Sequence, residues 1–121
     1  MRIEGVVIRG NGIGRKLNVP TANIKVAPDA PITNGVYSAR VTLDEGEFAA
    51  VVNVGYKPTV DSHAARGAEV HLLDFVGDLY GRRISVELGE YLRSESRFES
   101  VEELRAQIQK DIDKVKNQIK E

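Results

Sequence analysis

The stretch Gly10–Asn23 reads GNGIGRKLNVPTAN and places three glycines and two cations ahead of a proline, a threonine and an asparagine. Gly10, Gly12 and Gly14 allow a backbone to curl until successive amides converge on an anion. Arg15 and Lys16 bring positive charge to the same place. Pro20 fixes the chain direction just beyond them. In an extended segment Thr21 and Asn23 point to one side, separated by Ala22. A hydroxyl and an amide oxygen are hard donors, weak alone but suited to a magnesium ion already held by phosphates. Amides, cations and hard oxygens in this order are the set that a nucleoside triphosphate with its metal requires.

Two common phosphate templates do not fit. The P-loop requires G-x-x-x-x-G-K-[ST], whereas Arg15 precedes Lys16 here. The dinucleotide fingerprint requires G-x-G-x-x-G ahead of a helix, whereas Gly10, Gly12 and Gly14 give G-x-G-x-G with no helical period behind them. On spacing alone the stretch also fits a plain glycine-rich turn.

Further candidates lie downstream. In AEVHLLDF, Glu69 and His71 alternate onto one face. A carboxylate in reach of a substrate hydroxyl can take its proton, although an ordinary surface carboxylate has the same local pattern. His71 is expected to support other groups rather than act as a base, and His63, in DSHAARG, to be a solvated loop residue. Two histidines so spaced make no transition-metal motif. Asn53 beside Gly55 suits a strand-end cap or a ligand contact. Arg93 suits either a substrate contact or a surface pair with Glu95 or Glu99.

The elements that must position these groups are mostly strands. VYSARVTL (Val36–Leu43) alternates Tyr37, Ala39, Val41 and Leu43 against Ser38, Arg40 and Thr42. Asp44–Gly46 suits a hairpin ending in a positive-φ glycine. Phe48–Val54 returns with Phe48, Ala50, Val52 and Val54 inward and Asn53 outward. Ala68–Phe75, Arg83–Leu88 and the short Val6–Ile8 are the remaining strand candidates, with Gly77–Asp78 and Tyr80–Gly81 as turns. Such spacing predicts an antiparallel sandwich or barrel, and a barrel removes exposed edges. The period then changes: Val101, Leu104, Ile108, Ile112, Val115 and Ile119 step by three and four. Ser100 and Glu103 form a capping-box pattern, and Glu102, Glu103, Lys116 and Lys120 suit the helix dipole. This helix is expected to pack on the barrel with no catalytic part.

Composition sets the outer limits. The 121 residues suit one domain, with 41% hydrophobic and 29% charged residues, ordinary values for a soluble protein. A net charge of -1 leaves phosphate affinity to a local cluster. With aromatics at only 6%, an oligonucleotide-binding barrel ranks last among the candidate functions. There is no cysteine, hence no disulfide and no thiolate metal site. No apolar run approaches a membrane span, and Arg9 interrupts any signal-like opening. A cytoplasmic, soluble protein is expected.

The pieces Gly10–Asn23, Gly35–Tyr37, Asn53–Thr59, Glu69–Gly81 and Leu92–Asp111, in that order, resemble the riboflavin kinase family. They are especially similar to the C-terminal kinase module of bacterial bifunctional riboflavin kinase/FAD synthetases. The resemblance implies a mainly β fold, a small antiparallel Greek-key barrel with a C-terminal helix packed on it. It implies one domain over residues 1–121, with the barrel over about 1–98 and the helix over about 100–120. The implied reaction moves the γ-phosphoryl of ATP to the ribityl 5′-hydroxyl of riboflavin, giving FMN and ADP. Thr21 and Asn23 would bind the metal–nucleotide, with magnesium expected and other divalent ions admitted by hard oxygens. Gly10, Gly12, Gly14, Arg15 and Lys16 would arch over the phosphates, with Pro20 and Asn53 on the nucleotide side. Glu69 would be the catalytic base, and Arg93, Glu95 and Phe98 would belong to the segment closing on the flavin.

Three departures stand out. Asn18 replaces a usual glycine, the least costly exchange if that position needs positive φ. Leu73 stands where an aromatic is common. No adenylyltransferase pattern is present, so FMN is not expected to go on to FAD, whether the chain is a natural single-domain kinase or an excised module. Riboflavin/FMN and ATP/ADP are the expected partners of a monomer that binds neither nucleic acid nor membrane. The competing reading is a barrel that holds flavin or nucleotide without turnover.

Overall fold

The computed structural model describes residues 1–8, 21–58, 64–96 and 98–119. Six strands and one helix follow in order: β1 (Arg2–Val6), β2 (Thr21–Lys25), β3 (Gly35–Leu43), β4 (Gly46–Pro58), β5 (Ala64–Leu72), β6 (Arg83–Arg93) and α1 (Val101–Ile119). The sheet order is β1-β6-β3-β4-β5-β2, and every pair is antiparallel. β3, β4 and β5 form a meander, and β6 returns beside β3, which is a Greek key. The two edge strands approach each other: Ile8 bridges Asn23, its amide donating to the Asn23 carbonyl at 2.7 Å. The barrel is thereby nearly closed, and few backbone groups face a bare edge.

Alternation works as the residue pattern predicts. Ile24, Val41, Val52, Val70 and Val86 are 0–1% exposed inside the barrel, and Tyr37, Ala39 and Leu43 join them. Phe48 meets Phe75 edge-on at 5.2 Å between ring centroids. The β3–β4 turn needs only Asp44 and Glu45, since Leu43 pairs with Gly46, whose φ is +137°.

Strand limits differ from the expectation for physical reasons. The first strand lies earlier, over Arg2–Val6, because it pairs with Arg83–Glu87; of the expected Val6–Ile8 strand, Val6 ends β1 opposite Arg83 and Ile8 forms an isolated bridge. β5 begins at Ala64 and stops at Leu72 rather than Phe75, since Asp74 takes φ +59° and turns the chain. β6 runs on to Arg93 past two register shifts, between Val36 and Tyr37 and between Tyr37 and Ala39. At this irregularity the Ser38 hydroxyl accepts a bond from the Glu90 amide at 2.8 Å, which accounts for a buried serine on the outward face. Tyr80 lies on the rim, 52% exposed, beside a turn closed by the Arg82 amide on the Leu79 carbonyl.

A second apolar cluster sits outside the barrel. Ile108, Ile112 and Val115 of α1 cover Val36, Val51 and Leu73. The Ser100 hydroxyl accepts from the Glu103 amide at 3.1 Å, whereas the Glu103 carboxylate reaches back to the amide of Glu99, one residue beyond the usual box partner. Val101, at the head of the stripe, is exposed. Elsewhere Arg66, 7% exposed, pins the segment before β3 by donating to the Asn34 side chain and to the carbonyls of Ala30 and Ile32.

Candidate active site

Because Ala68 and Val70 point inward, Glu69 and His71 point out of the barrel from β5. The same parity sends Thr21 and Asn23 outward from β2 and Asn53 outward from β4. Register then sets them side by side. Glu69 is the ladder partner of Asn23 on one flank and of Asn53 on the other. His71 is the partner of Thr21 and of Val51. Directly opposed side chains in such ladders have Cβ atoms about 4.5–5.5 Å apart. One row therefore reads Asn53, Glu69, Asn23, and the row next to it Val51, His71, Thr21.

The polar groups within this surface are largely sheltered. Side-chain exposure is 14% for Glu69 and 6% for His71. The His71 Nε2 lies 3.5 Å from Glu69 Oε1, and its Nδ1 lies 3.4 Å from Thr21 Oγ1. The Oδ1 of Asn53 is buried with no hydrogen-bond partner among the described residues, so a donor from a ligand would relieve a desolvated acceptor.

One step beyond this row β4 and β5 carry no outward side chains, while Lys25, the partner of Gly67, continues the surface on β2. Gly55 and Gly67 are the next outward pair on β4 and β5. A Cβ at Gly55 would overlap the carboxylate of Glu95, and one at Gly67 would stand 3.3 Å from the Ile24 carbonyl. Glu95 thus lies against the backbone next to Asn53, which brings the segment after β6 to the edge of the polar row.

Arg93 is held differently. Val36 is its partner across β3–β6 and also the partner of Asn53 across β3–β4. Its guanidinium is not paired with Glu95 or Glu99 but forms a bidentate pair with Asp111 of α1, at 3.0 and 2.8 Å, and donates to the Ser94 carbonyl at 3.0 Å. Asp111 is 1% exposed and also accepts from Gln107 at 3.1 Å. This geometry joins the helix to the segment carrying Glu95, and charge-assisted bidentate bonds are the strong kind. Phe98 is half-buried.

Sequence reasoning passed over Asp111, Gln107 and the two glycines. A signal existed for Asp111: it lies three residues after Ile108, within the apolar stripe, where a carboxylate requires a partner. Gly10, Gly12, Gly14, Arg15, Lys16, Asn18 and Pro20 lie outside the described residues. Among the described residues, no group of three or more His, Cys, Asp or Glu side chains could hold a metal ion. Thr21 and Asn23 offer neutral hard oxygens, which suit a magnesium ion whose charge is met by phosphates. No described helix is long and apolar enough to cross a membrane.

A family model described as riboflavin kinase matches residues 1–119. A bifunctional riboflavin kinase/FMN adenylyltransferase of Pseudomonas fluorescens is 41% identical over 111 residues, which are 92% of this chain and 36% of that protein. An RNA-binding riboflavin kinase of Bacillus subtilis is 42% identical over 110 residues, 91% of this chain and 47% of that one. The chain thus spans between a third and a half of these relatives. The riboflavin kinase structure from Trypanosoma brucei superposes with a TM-score of 0.67 over 99% of this chain and 80% of that chain, at 21% identity, a likeness of fold.

Proposed function

The chain belongs to the riboflavin kinase family, and on that footing we propose that it transfers the γ-phosphoryl group of ATP to the ribityl 5′-hydroxyl of riboflavin. The observation that carries this reading is the placement of Glu69 between Asn23 and Asn53, one ladder step from Thr21 and His71. The 5′-oxygen forms a bond to the γ-phosphorus while the bond from that phosphorus to its bridging oxygen breaks. The products are FMN and ADP, and the hydroxyl proton passes to the Glu69 carboxylate. Transfer of this kind rests chiefly on position and charge neutralisation, so the scaffold matters as much as the base.

Thr21 Oγ1 and Asn23 Oδ1 would hold a divalent ion, magnesium in this reading, together with phosphate oxygens. When bound, that ion neutralises the negative charge shared by the β- and γ-phosphates. Gly10, Gly12, Gly14, Arg15 and Lys16 would cover the phosphates, with Pro20 and Asn53 beside the nucleotide. Glu95 and Phe98 would face the flavin. Arg93 would act there through the segment it anchors, since its guanidinium is held by Asp111.

Residues 1–121 are read as one domain of a cytoplasmic monomer, and only the kinase half of the bifunctional relatives' name is assigned to them. The RNA binding named for the Bacillus relative is not assigned, because a charge of -1 and 6% aromatics suit neither a basic groove nor a stacking surface. Incubation with riboflavin, ATP and magnesium, followed by chromatography of the flavins, tests the proposal. FMN is expected. Flavin retained without FMN would favour a binding module, and no flavin binding would reject both.

A further inference from the structure

We infer that His71 is a positioning residue whose two ring nitrogens jointly orient the Thr21 hydroxyl and the Glu69 carboxylate. The inference rests on the kinase reading above and adds a residue to it. His71 stands between the two groups on the same outward surface, opposite Thr21 in the ladder and two residues from Glu69. The ring is nearly sealed from solvent, and each nitrogen faces one of them, Nδ1 to Thr21 at 3.4 Å and Nε2 to Glu69 at 3.5 Å. Both distances are long for hydrogen bonds, as is common in sites that tighten only around substrate.

The chemistry of a neutral imidazole makes the two contacts interdependent. One ring nitrogen donates and the other accepts. An ionised carboxylate only accepts, so Glu69 favours the tautomer with the proton on Nε2. That leaves the Nδ1 lone pair for the Thr21 hydroxyl proton. With its proton turned toward the ring, the Thr21 oxygen presents lone pairs to the outside, the direction a cation needs. The opposite tautomer would set a ring lone pair against the carboxylate and turn the Thr21 lone pairs inward. With Oε1 turned to His71, the other Glu69 oxygen is assigned to the substrate proton. The metal end and the base end are thereby locked into one arrangement through a single side chain.

The test uses the whole chain and two partial mimics. The asparagine amide reaches the region of Nδ1, and the glutamine amide the region of Nε2. His71→Asn should retain the Thr21 contact, keeping the KM for magnesium–ATP while kcat falls. His71→Gln should retain the Glu69 contact, so that the KM for magnesium–ATP rises and kcat suffers less. His71→Leu should lose both, with kcat/KM down about 10–100-fold, the usual range for groups that orient ligands from behind. Thermal unfolding checks that each variant is folded. Variants that leave kcat and KM unchanged, or lower them together without this split, overturn the inference. Glu69→Gln is measured alongside. Full activity there would remove the base itself, whereas an impaired Glu69→Gln with unsplit His71 variants would remove only the role of His71. Should the variants fail to fold, ring-nitrogen NMR on the His63→Gln protein, which leaves His71 as the one histidine of this two-histidine chain, decides. A proton on Nε2 is expected, and a proton on Nδ1 alone overturns the inference.

Discussion

Val51 and Asn53 are two residues apart on β4, and both point away from the barrel interior, yet they meet different surroundings. Val51 is 2% exposed beneath α1, in a cluster with Val36, Leu73, Ile108, Ile112 and Val115. Asn53 begins the polar row that continues through Glu69 to Asn23. The outward surface of a half-buried sheet ordinarily faces water. Here the helix converts one part of it into a second core, and the adjoining part carries the polar row. The seam between the two is the Arg93–Asp111 pair, in which a strand end and a helix meet through buried charge. Parity chooses a face, and the covering element chooses its use.

Substitutions on either side of the seam should separate chemistry from stability. Glu69→Gln, on the polar side, should lower kcat by roughly 10²–10⁴-fold in the FMN assay, the range for a general base. Its unfolding midpoint should stay near that of the parent, and an unchanged kcat would remove Glu69 from the role. At the seam, Arg93→Ala leaves Asp111 buried without its cation, which should cost about 3 kcal/mol in denaturant unfolding. A large rise in the KM for riboflavin in folded Arg93→Ala would add direct substrate contact to its structural part. On the apolar side, Ile112→Ala should cost about 2 kcal/mol of stability with kcat near normal below the melting range. A collapse of kcat in folded Ile112→Ala would mean that the two halves are not separable.

The smallest effect should come from a pair that belongs to neither half. The pKa of Glu45, in the β3–β4 turn, is held down to about 2, chiefly by the hydrogen bonds from Arg82 at 2.8 and 2.9 Å. Since the folded-state value lies below the ordinary 4.5, the pair's contribution is complete above that pH and is lost as pH falls through about 2. Both side chains are substantially exposed, so the contribution is small. Arg82→Gln should lower the melting temperature slightly at pH 7, and the difference from the parent should shrink toward pH 2. A difference that grows on acidification would contradict the lowered Glu45 value.

Much of the scaffold was legible because it follows from local rules. Tyr37, Ala39, Val41 and Leu43 alternate into the core, Gly46 takes positive φ at the expected hairpin, and Ile108, Ile112 and Val115 form the buried stripe of α1. The register shifts where β6 meets β3 were not legible, because an extra residue in one strand leaves no mark on the period of its partner. Nor was the partner of Arg93: Glu95 and Glu99 are near in the chain, but Asp111, eighteen positions away, is brought close by helix docking.

The candidate site divides along the same line. Which side chains leave the barrel follows from the two-residue period of a strand, so the pairing of Thr21 with Asn23, and of Glu69 with His71, was legible in the chain alone. Their meeting was not. Asn23, Asn53 and Glu69 come from three strands, and only the order β4-β5-β2 and the register within it make them one row. Register is set by long-range pairing and by the inner core, and a slip of one residue would send each of these groups to the opposite face. The residue types state what chemistry is available, and the closing of the barrel decides which of them can act together.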